Sequence, residues 1–206
     1  MLIYDLELRN LVEMRYNISD IKKNIIGKLQ KNLPDHLVYH DVAHTLYVVE
    51  KAAFICMKEK VSALDKQLIN IAALYHDSGF MVSPDNHEET SCKIARKDLN
   101  KIVKPDHLDK ICSMIMSTKI PHSPKTHCES ILADADLEYL GTNSFWSTGD
   151  LLFQEIQYFN PKFSEGDWNK LQVSFLSKHQ YKTKFCRQYR EKYKQNHLKK
   201  LKKLVK

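Results

Sequence analysis

Residues 64–77, LDKQLINIAALYHD, form the most apolar helical pattern of the chain and end in two polar residues. Leu, Ile and Ala recur along this stretch at helical spacing, which predicts a core helix over residues 64–75. Gly79 follows where a glycine commonly ends a helix. The helix therefore delivers His76 and Asp77 at its C-terminal end. Adjacent side chains project about 100° apart inside a helix, but at a fraying end both can turn toward one ion.

Apolar periodicity predicts helices along the rest of the chain as well. The further predicted helices cover about residues 3–33, 41–60, 87–99, 106–117, 129–140, 145–158, 167–176 and 184–206. Five Gly and six Pro among 206 residues leave little material for the turns of a sheet. No internal repeat or low-complexity linker divides the chain. We therefore expect an all-α fold with a single compact helical domain over residues 1–206.

The composition is that of an ordinary globular protein, with 43% hydrophobic and 28% charged residues. No apolar run approaches the roughly 18 residues of a membrane helix. The N-terminal segment carries acids where a secretory signal has a basic head and an apolar run. Five Cys without a CxxC pair favour reduced thiols over a disulfide framework or a zinc cluster. These features predict a cytoplasmic protein that does not interact with a membrane.

The net charge of +7 is concentrated in the C-terminal segment. Residues 182–206 contain eleven Lys or Arg and one acid, Glu191. Nucleic-acid binding is one interpretation of such a basic segment. However, Phe185, Tyr189, Leu198 and Leu201 follow helical spacing. The favoured interpretation is a basic amphipathic helix over about residues 184–206 that packs on the body and leaves its basic face in solvent.

Two further motifs contain closely spaced His and Asp residues. They are YHDVAHT at residues 39–45 and ILADADLEYLG at residues 131–141. Together with the His-Asp pair at the end of the core helix, they supply imidazoles and carboxylates, a mixed ligand set suited to divalent metal ions. The carboxylates of Asp134 and Asp136 lie among apolar residues and would be costly to bury without a compensating cation.

The chain contains a His, then a His-Asp pair, then an Asp. This order resembles the signature of the HD superfamily of metal-dependent phosphohydrolases. The motifs YHxxxHT, HDxGF, HExxS and DADLxxLG also resemble a bacterial group of predicted HD phosphohydrolases. In addition, YHxxxH is similar to a motif of class I cyclic-nucleotide phosphodiesterases. The resemblance covers residues 39–141. It implies an HD-type, phosphodiesterase-like helical bundle, with its core at about residues 36–141, and one or two divalent ions per chain, which could be Mn, Mg, Co, Ni, Zn or Fe.

The resemblance also assigns roles to residues of the three motifs. It implies that the metal ligands are His44, His76, Asp77 and Asp136. Asp77 would be the ligand able to bridge two ions and would belong to the catalytic set. The family pattern ADxL selects Asp136 over Asp134, so Asp134 is expected to orient a ligand His.

His40 is the candidate general acid for the leaving alkoxide, by similarity to the phosphodiesterases. The alternative is a residue that satisfies backbone groups at the helix entry.

His87 and Glu88, in NHEETS, could hold a second metal or orient the substrate. The alternative for Glu88 is an exposed acid favoured by the helix dipole.

Lys119 and His122, in STKIPH, could bind the phosphate of the substrate, and His122 could instead join the second metal. An ordinary solvated loop is the alternative.

The segment after the core helix lacks the HDxxED of alarmone hydrolases. It also lacks the Glu that 5′-nucleotidases carry three residues after the Asp, because position 80 is Phe. Both substrate classes are therefore less favoured.

The expected function is hydrolysis of a phosphoester or phosphoanhydride bond of a nucleotide or cyclic nucleotide by metal-activated water. The expected partner is a small phosphorylated substrate, and the oligomeric state is left open. One alternative is a non-catalytic HD-type module that senses a nucleotide or a metal. Another is a di-iron oxygenase on the same scaffold, with His87 and His122 as further ligands.

Overall fold

The computed structural model describes residues 16–205, which form ten α-helices and two 3₁₀ helices without a β-strand. The α-helices are α1 (Ile18–Asn32), α2 (Val42–Lys58), α3 (Ala63–Tyr75), α4 (His87–Leu99), α5 (Pro105–Met116), α6 (His127–Asp136), α7 (Phe145–Phe159), α8 (Glu165–Lys178), α9 (Lys184–Tyr189) and α10 (Glu191–Leu204). The 3₁₀ helices are Ser78–Met81 and Glu138–Gly141. The all-α fold class is thereby confirmed. The first part of the helix predicted over residues 3–33 lies outside the described residues, and the single domain over residues 1–206 stays a prediction.

Helix α3 lies at the centre of the fold, as its apolar sequence predicts. Leu68, Ile71 and Leu74 are each at most 1% exposed. The helix packs against α1, α2, α5 and α6. Complete burial of one such aliphatic side chain contributes about 1.5–3 kcal/mol. This packing holds α3 in the core, and His76 directly follows its last residue, Tyr75.

Local hydrogen bonds fix the starts of the two other helices that reach the candidate site. The carboxylate of Asp41 caps α2 by accepting a hydrogen bond from the backbone N–H of His44 at 2.8 Å. Thr126 and Glu129 form a reciprocal capping box at the start of α6. An N-cap of this kind stabilises a helix by about 1 kcal/mol. The first turn of α2 is therefore held by a residue three positions before the predicted ligand His44.

Two of the predicted helices are interrupted, and the two interruptions touch each other. Helix α6 ends at Asp136, and Leu137, with φ −103° and ψ 16°, leads into the 3₁₀ helix. The predicted C-terminal helix is divided into α9 and α10 at Arg190. The guanidinium of Arg190 pairs with the buried Glu138, and the Arg190 backbone lies where a Cβ on Gly141 would overlap it. A tertiary contact thus joins the two breaks, and helical periodicity does not reveal such a contact.

The basic C-terminal segment packs on the body through one face, as the sequence predicts. Helix α10 contacts α8 and the second 3₁₀ helix and buries Leu198 and Leu201. Lys194 is also buried, and its Nζ donates to the carbonyl of His179 at 2.5 Å. Lys199, Lys200, Lys202 and Lys203 are exposed. Within residues 16–205, no helix has both the length and the apolar composition needed to cross a membrane.

Candidate metal centre and its cavity

Three helices that pack against one another bring the predicted metal ligands together. His44 lies in the first turn of α2, His76 and Asp77 follow α3, and Asp136 ends α6. Ligand atoms of His44, His76 and Asp77 all lie within 4.8 Å of one another. The two Nε2 atoms are 3.4 Å apart. Asp136 Oδ1 is 3.1 Å from Nε2 of His44 and 3.6 Å from Nε2 of His76. We call these four residues the His/Asp cluster.

The adjacent residues His76 and Asp77 both reach the cluster because α3 ends at Tyr75. Asp77 has φ −106° and ψ 9°, outside regular α-helical geometry. Its Oδ2 lies 3.0 Å from Nε2 of His76 and 3.3 Å from Nε2 of His44. The two neighbours therefore converge on one point, which they could not do inside a helix.

The hydrogen bonding of His76 leaves its Nε2 available as a metal ligand. Nδ1 lies 2.9 Å from the carbonyl oxygen of Ala73. A carbonyl only accepts, so Nδ1 carries the proton, and Nε2 of the neutral ring presents a lone pair to the cluster. Histidines that bind metals commonly donate their other N–H in this way. The two imidazoles and two carboxylates thus fit a divalent metal ion.

The charges of the cluster point to the same conclusion. Burial lowers the pKa of His44, but its hydrogen bonds with Asp136 and Asp77 outweigh burial and raise it to about 9. The pKa of His76 is likewise raised, despite burial, by Asp77 and Asp136. Facing these imidazoles, both carboxyl groups have pKa values below their usual range although burial acts in the opposite direction. Without a metal, the cluster therefore holds protons that a cation would displace.

A pair formed by the half-buried His40 and the buried Glu155 lies beside the cluster. Nδ1 of His40 is 2.5 Å from Oε1 of Glu155, and Oε2 of Glu155 accepts the backbone N–H groups of Tyr39 and His40. Burial acts to raise the pKa of Glu155, but the hydrogen bonds from His40 and the two backbone groups lower it below its usual range. Glu155 therefore remains a carboxylate and fixes the orientation of the His40 ring, which lines the cavity.

Phe80 lies between two imidazoles at the site. Its ring stacks on His40, with centroids 4.1 Å apart, and on His87, with centroids 4.2 Å apart. In the sequence, Phe80 is the last residue of the HDxGF motif and a departure from the 5′-nucleotidase pattern. In the structure, Phe80 holds the two rings at a fixed distance from each other.

His87 and Glu88 begin α4, and His87 lies near the oxygen of Asp77 that the cluster histidines do not contact. Nε2 of His87 lies 3.6 Å from Oδ1 of Asp77 and 3.4 Å from Oε1 of Glu88. Because Oδ2 of Asp77 faces His44 and His76, the two oxygens of this carboxylate point at different donor groups. Gly79 allows the approach of α4, since a Cβ there would overlap the carbonyl of His87. The assignment of His87 and Glu88 to a second metal stays a prediction.

Among the described residues, neither Lys119 nor His122 forms a hydrogen bond or an ion pair with the His/Asp cluster. Lys119 lies at the rim of the cavity, where its Nζ is 2.6 Å from Oε1 of Glu89. His122 lines a neighbouring cavity of about 340 Å³ with Lys178, among others. Its Nε2 is buried without a hydrogen-bond partner, and burial lowers its pKa. The substrate-binding role of both residues and the metal role of His122 stay predictions.

Asp134 has a different role from the one expected. Its carboxylate accepts hydrogen bonds from the backbone N–H of Lys182 at 2.8 Å and from the backbone N–H and Oγ1 of Thr183, each at 2.7 Å. These bonds hold the segment before α9. The expectation that Asp134 orients a ligand His is therefore wrong, because the side chain points toward a segment about 48 residues further along the chain.

The His/Asp cluster opens onto a cavity of about 500 Å³. The polar end of this cavity contains the side chains of His40, Asp77, His87, Glu88 and Asp136. The other end is lined mainly by apolar side chains of α7 and α8. The cavity thus combines a group of metal-ligating side chains with room for an organic molecule.

Sequence reasoning gave no role to Glu155, although a local signal existed. Residues 151–159, LLFQEIQYF, place a single acid within an apolar stretch. An acid in such a context is either exposed or buried against a partner. Only the fold shows that the partner is His40, because the two residues are 115 positions apart.

The fold and the cluster define an all-helical protein with a buried site suited to a divalent metal. Residues 41–138 match the family model of the HD domain, and this range includes all four cluster residues. This segment of the chain is therefore similar to the HD domain, and the predicted resemblance to the HD superfamily is confirmed over it.

One solved structure adds to this finding. It is a crystal structure of a predicted HD superfamily hydrolase from an uncultured Thermotogales bacterium. It matches with a TM-score of 0.59 and 21% sequence identity, over 96% of this chain and 97% of that chain. At this identity the match shows a shared fold. No curated protein sequence matches the chain.

Proposed function

We propose that the protein is a metal-dependent phosphohydrolase that cleaves a phosphoester or phosphoanhydride bond of a nucleotide or cyclic nucleotide. The observation that carries this proposal is the buried His/Asp cluster at the polar end of a 500 Å³ cavity. The HD domain supports a metal-dependent hydrolase in general. The choice of a phosphorylated substrate rests on the resemblance of the motifs to HD phosphohydrolases and, through YHxxxH, to cyclic-nucleotide phosphodiesterases.

In this proposal His44, His76, Asp77 and Asp136 hold a divalent ion. When bound, such an ion supplies Lewis acidity, which polarises a phosphoryl oxygen and lowers the pKa of a water molecule. Nδ1 of His76 keeps its proton and donates a hydrogen bond to the Ala73 carbonyl, so Nε2 stays directed at the cluster. Asp77 offers its second oxygen toward His87, where a second ion would be accommodated.

His40 supplies the proton for the leaving group. With Nδ1 bonded to Glu155, the protonated ring keeps its second N–H at Nε2. That proton passes to the leaving oxygen as the phosphorus–oxygen bond breaks. The Glu155 carboxylate orients the ring through its hydrogen bond with Nδ1, and Phe80 stacks on the ring.

The test is to purify the protein without a chelator, measure its bound metals, and assay it with Mn²⁺, Mg²⁺, Co²⁺ and Ni²⁺. The substrates are bis-p-nitrophenyl phosphate, nucleoside mono- and triphosphates, and cyclic mono- and dinucleotides. We expect Asp77→Ala to lose bound metal and all measurable turnover. Asp150→Ala removes an exposed carboxylate on α7 and serves as the matched control, with unchanged metal content and rate.

Each of the other outcomes overturns part of the proposal. A chain that binds metal and nucleotide without turnover is a sensing module. A chain that binds no metal has no metal centre at all. The oxygenase alternative needs both His87 and His122 as ligands, and the structure places His122 in the neighbouring cavity.

A further inference from the structure

The end of the cavity that lies away from the His/Asp cluster is an apolar chamber. Its walls come from α7, α8 and the second 3₁₀ helix. The residues that define this chamber are Phe145, Leu152, Ile156, Trp168, Phe175 and Leu176. A site for a purely ionic or polyhydroxylated ligand would need polar partners here. The chamber offers mainly surface that gains free energy when an apolar group covers it.

Helix α7 supports this view of the chamber, because it buries little of its apolar surface within the protein. Of its fifteen residues, Phe145, Gly149 and Glu155 are the buried ones. Leu152 and Ile156 line the cavity and remain half-buried. Apolar side chains that face an enclosed space become fully buried when a ligand enters it.

The charges around the cavity are also uneven. Among the described residues that line it, Lys119 is the single Lys or Arg, and Nζ of Lys119 is already paired with Glu89. Four carboxylates line the same space: Asp77, Asp85, Glu88 and Asp136. One or two divalent ions would offset these carboxylates and bind one phosphate. Among these lining residues, a second or third phosphate would find no unpaired Lys or Arg and would face carboxylates or apolar walls.

We propose that the substrate carries a single phosphate group joined to an uncharged, largely apolar group that fills the chamber, and that di- and triphosphates are excluded. This inference rests on the proposed function for the phosphate end of the molecule. It narrows that function to esters of one phosphate, such as a nucleoside monophosphate or cyclic mononucleotide whose base occupies the chamber.

The test uses phosphonates, because they carry one anionic group and one organic group and are not hydrolysed. Binding of methyl-, butyl- and phenylphosphonate to the metal-loaded protein is measured by titration calorimetry. Each buried methylene tightens binding about threefold to fourfold, so Kd falls at least about tenfold from methyl to butyl. The charged near-isostere of butylphosphonate, 3-phosphonopropanoate, binds no more tightly than methylphosphonate.

A pair of variants on α7 locates the effect. Leu152→Trp fills the chamber and weakens phenylphosphonate at least about tenfold, while methylphosphonate binds as before. Leu151→Trp makes the same change on the neighbouring residue, which is 41% exposed, and leaves the whole series unchanged. Equal metal content and circular dichroism spectra establish that both variants are folded.

The outcomes separate this inference from the proposed function. A Kd that is flat across the series, or tight binding of 3-phosphonopropanoate, overturns the apolar chamber even when the enzyme hydrolyses phosphoesters. If affinity rises from methyl- to butylphosphonate but no substrate is turned over, the apolar chamber is supported and the proposed hydrolase function is contradicted. Hydrolysis of a nucleoside triphosphate faster than the monophosphate overturns the limit to one phosphate.

Discussion

The two ends of the cavity are built in different ways. At the polar end, His44, His76 and Asp77 are 8%, 0% and 7% exposed and lie on or directly after helices of the central core. Their positions are fixed by capping, backbone hydrogen bonds and packing. At the apolar end, Leu152 and Ile156 lie on α7, a helix that buries few of its residues.

This difference separates the chemistry of the site from its specificity. A change at the polar end disturbs the core of the fold, whereas a change in the apolar wall alters the shape of the cavity at little cost to the core. The His/Asp cluster can therefore stay constant while the wall adapts to different organic groups. Three predictions test this division, in addition to the experiments proposed above.

The largest expected effect concerns a contact that joins the two ends, the one between His40 and Glu155. His40 precedes α2, but its partner Glu155 lies on α7. We expect His40→Gln to lower kcat about 10²- to 10⁴-fold for an alkyl leaving group. Glu155→Gln should cost about 10- to 100-fold, because it acts through the orientation of His40. Both losses should shrink for p-nitrophenolate, which leaves without a proton.

The control for this pair is the double variant. If Glu155 works only through His40, the double variant loses no more activity than His40→Gln alone, and bound metal is unchanged in all three proteins. Equal losses for alkyl and p-nitrophenyl esters would contradict an acid role. They would assign the pair to the structure of the apolar wall.

A medium-sized effect is expected in the pH dependence of metal stabilisation. The pKa of His44 is raised from its ordinary value of 6.5 to about 9 by hydrogen bonds to Asp136 and Asp77, against the effect of burial. The stabilisation of the metal-free protein that comes with this raised pKa is fully present below about pH 6.5. It is lost as the pH rises to about 9. Metal binding needs the unprotonated ring, so a bound ion stabilises more at high pH.

The measurement is thermal unfolding of metal-loaded and metal-free protein between pH 6.5 and 9. We expect the difference in Tm to widen by roughly 5 °C over this range. His127→Gln removes a half-exposed histidine far from the cluster and should leave the trend unchanged. A difference in Tm that is constant with pH would show that the cluster histidines are not protonated in the metal-free protein.

The smallest effect is expected at the rim of the cavity. Nζ of Lys119 is paired with Glu89, and both side chains are about 40% exposed. Such exposed ion pairs contribute little to the stability of a protein. Lys119→Ala should therefore raise KM at most about threefold, with kcat unchanged, and Lys93→Ala on the exposed face of α4 is the control. A tenfold or larger rise in KM would show that Lys119 leaves Glu89 to bind the phosphate.

Part of the molecule could be predicted from the sequence because its signals are local. The helical class and most helix bounds follow from periodicity, and the His/Asp cluster follows from three short motifs. The break at Leu137 and the break at Arg190 could not be predicted, since they arise from contacts between Arg190, Glu138 and Gly141. The role predicted for Asp134 was wrong for the same reason, because its hydrogen-bond partners lie in a distant segment of the chain.

The sequence by itself thus determined the fold class and the identity of the residues that gather at the polar end of the cavity. Ligand motifs and apolar spacing are properties of a few neighbouring residues, so they are visible in one dimension. Only the tertiary structure decided that Glu155 orients His40, that Phe80 stacks between two imidazoles, and that α7 and α8 enclose an apolar chamber. Those features depend on which distant surfaces meet, and packing alone settles that question.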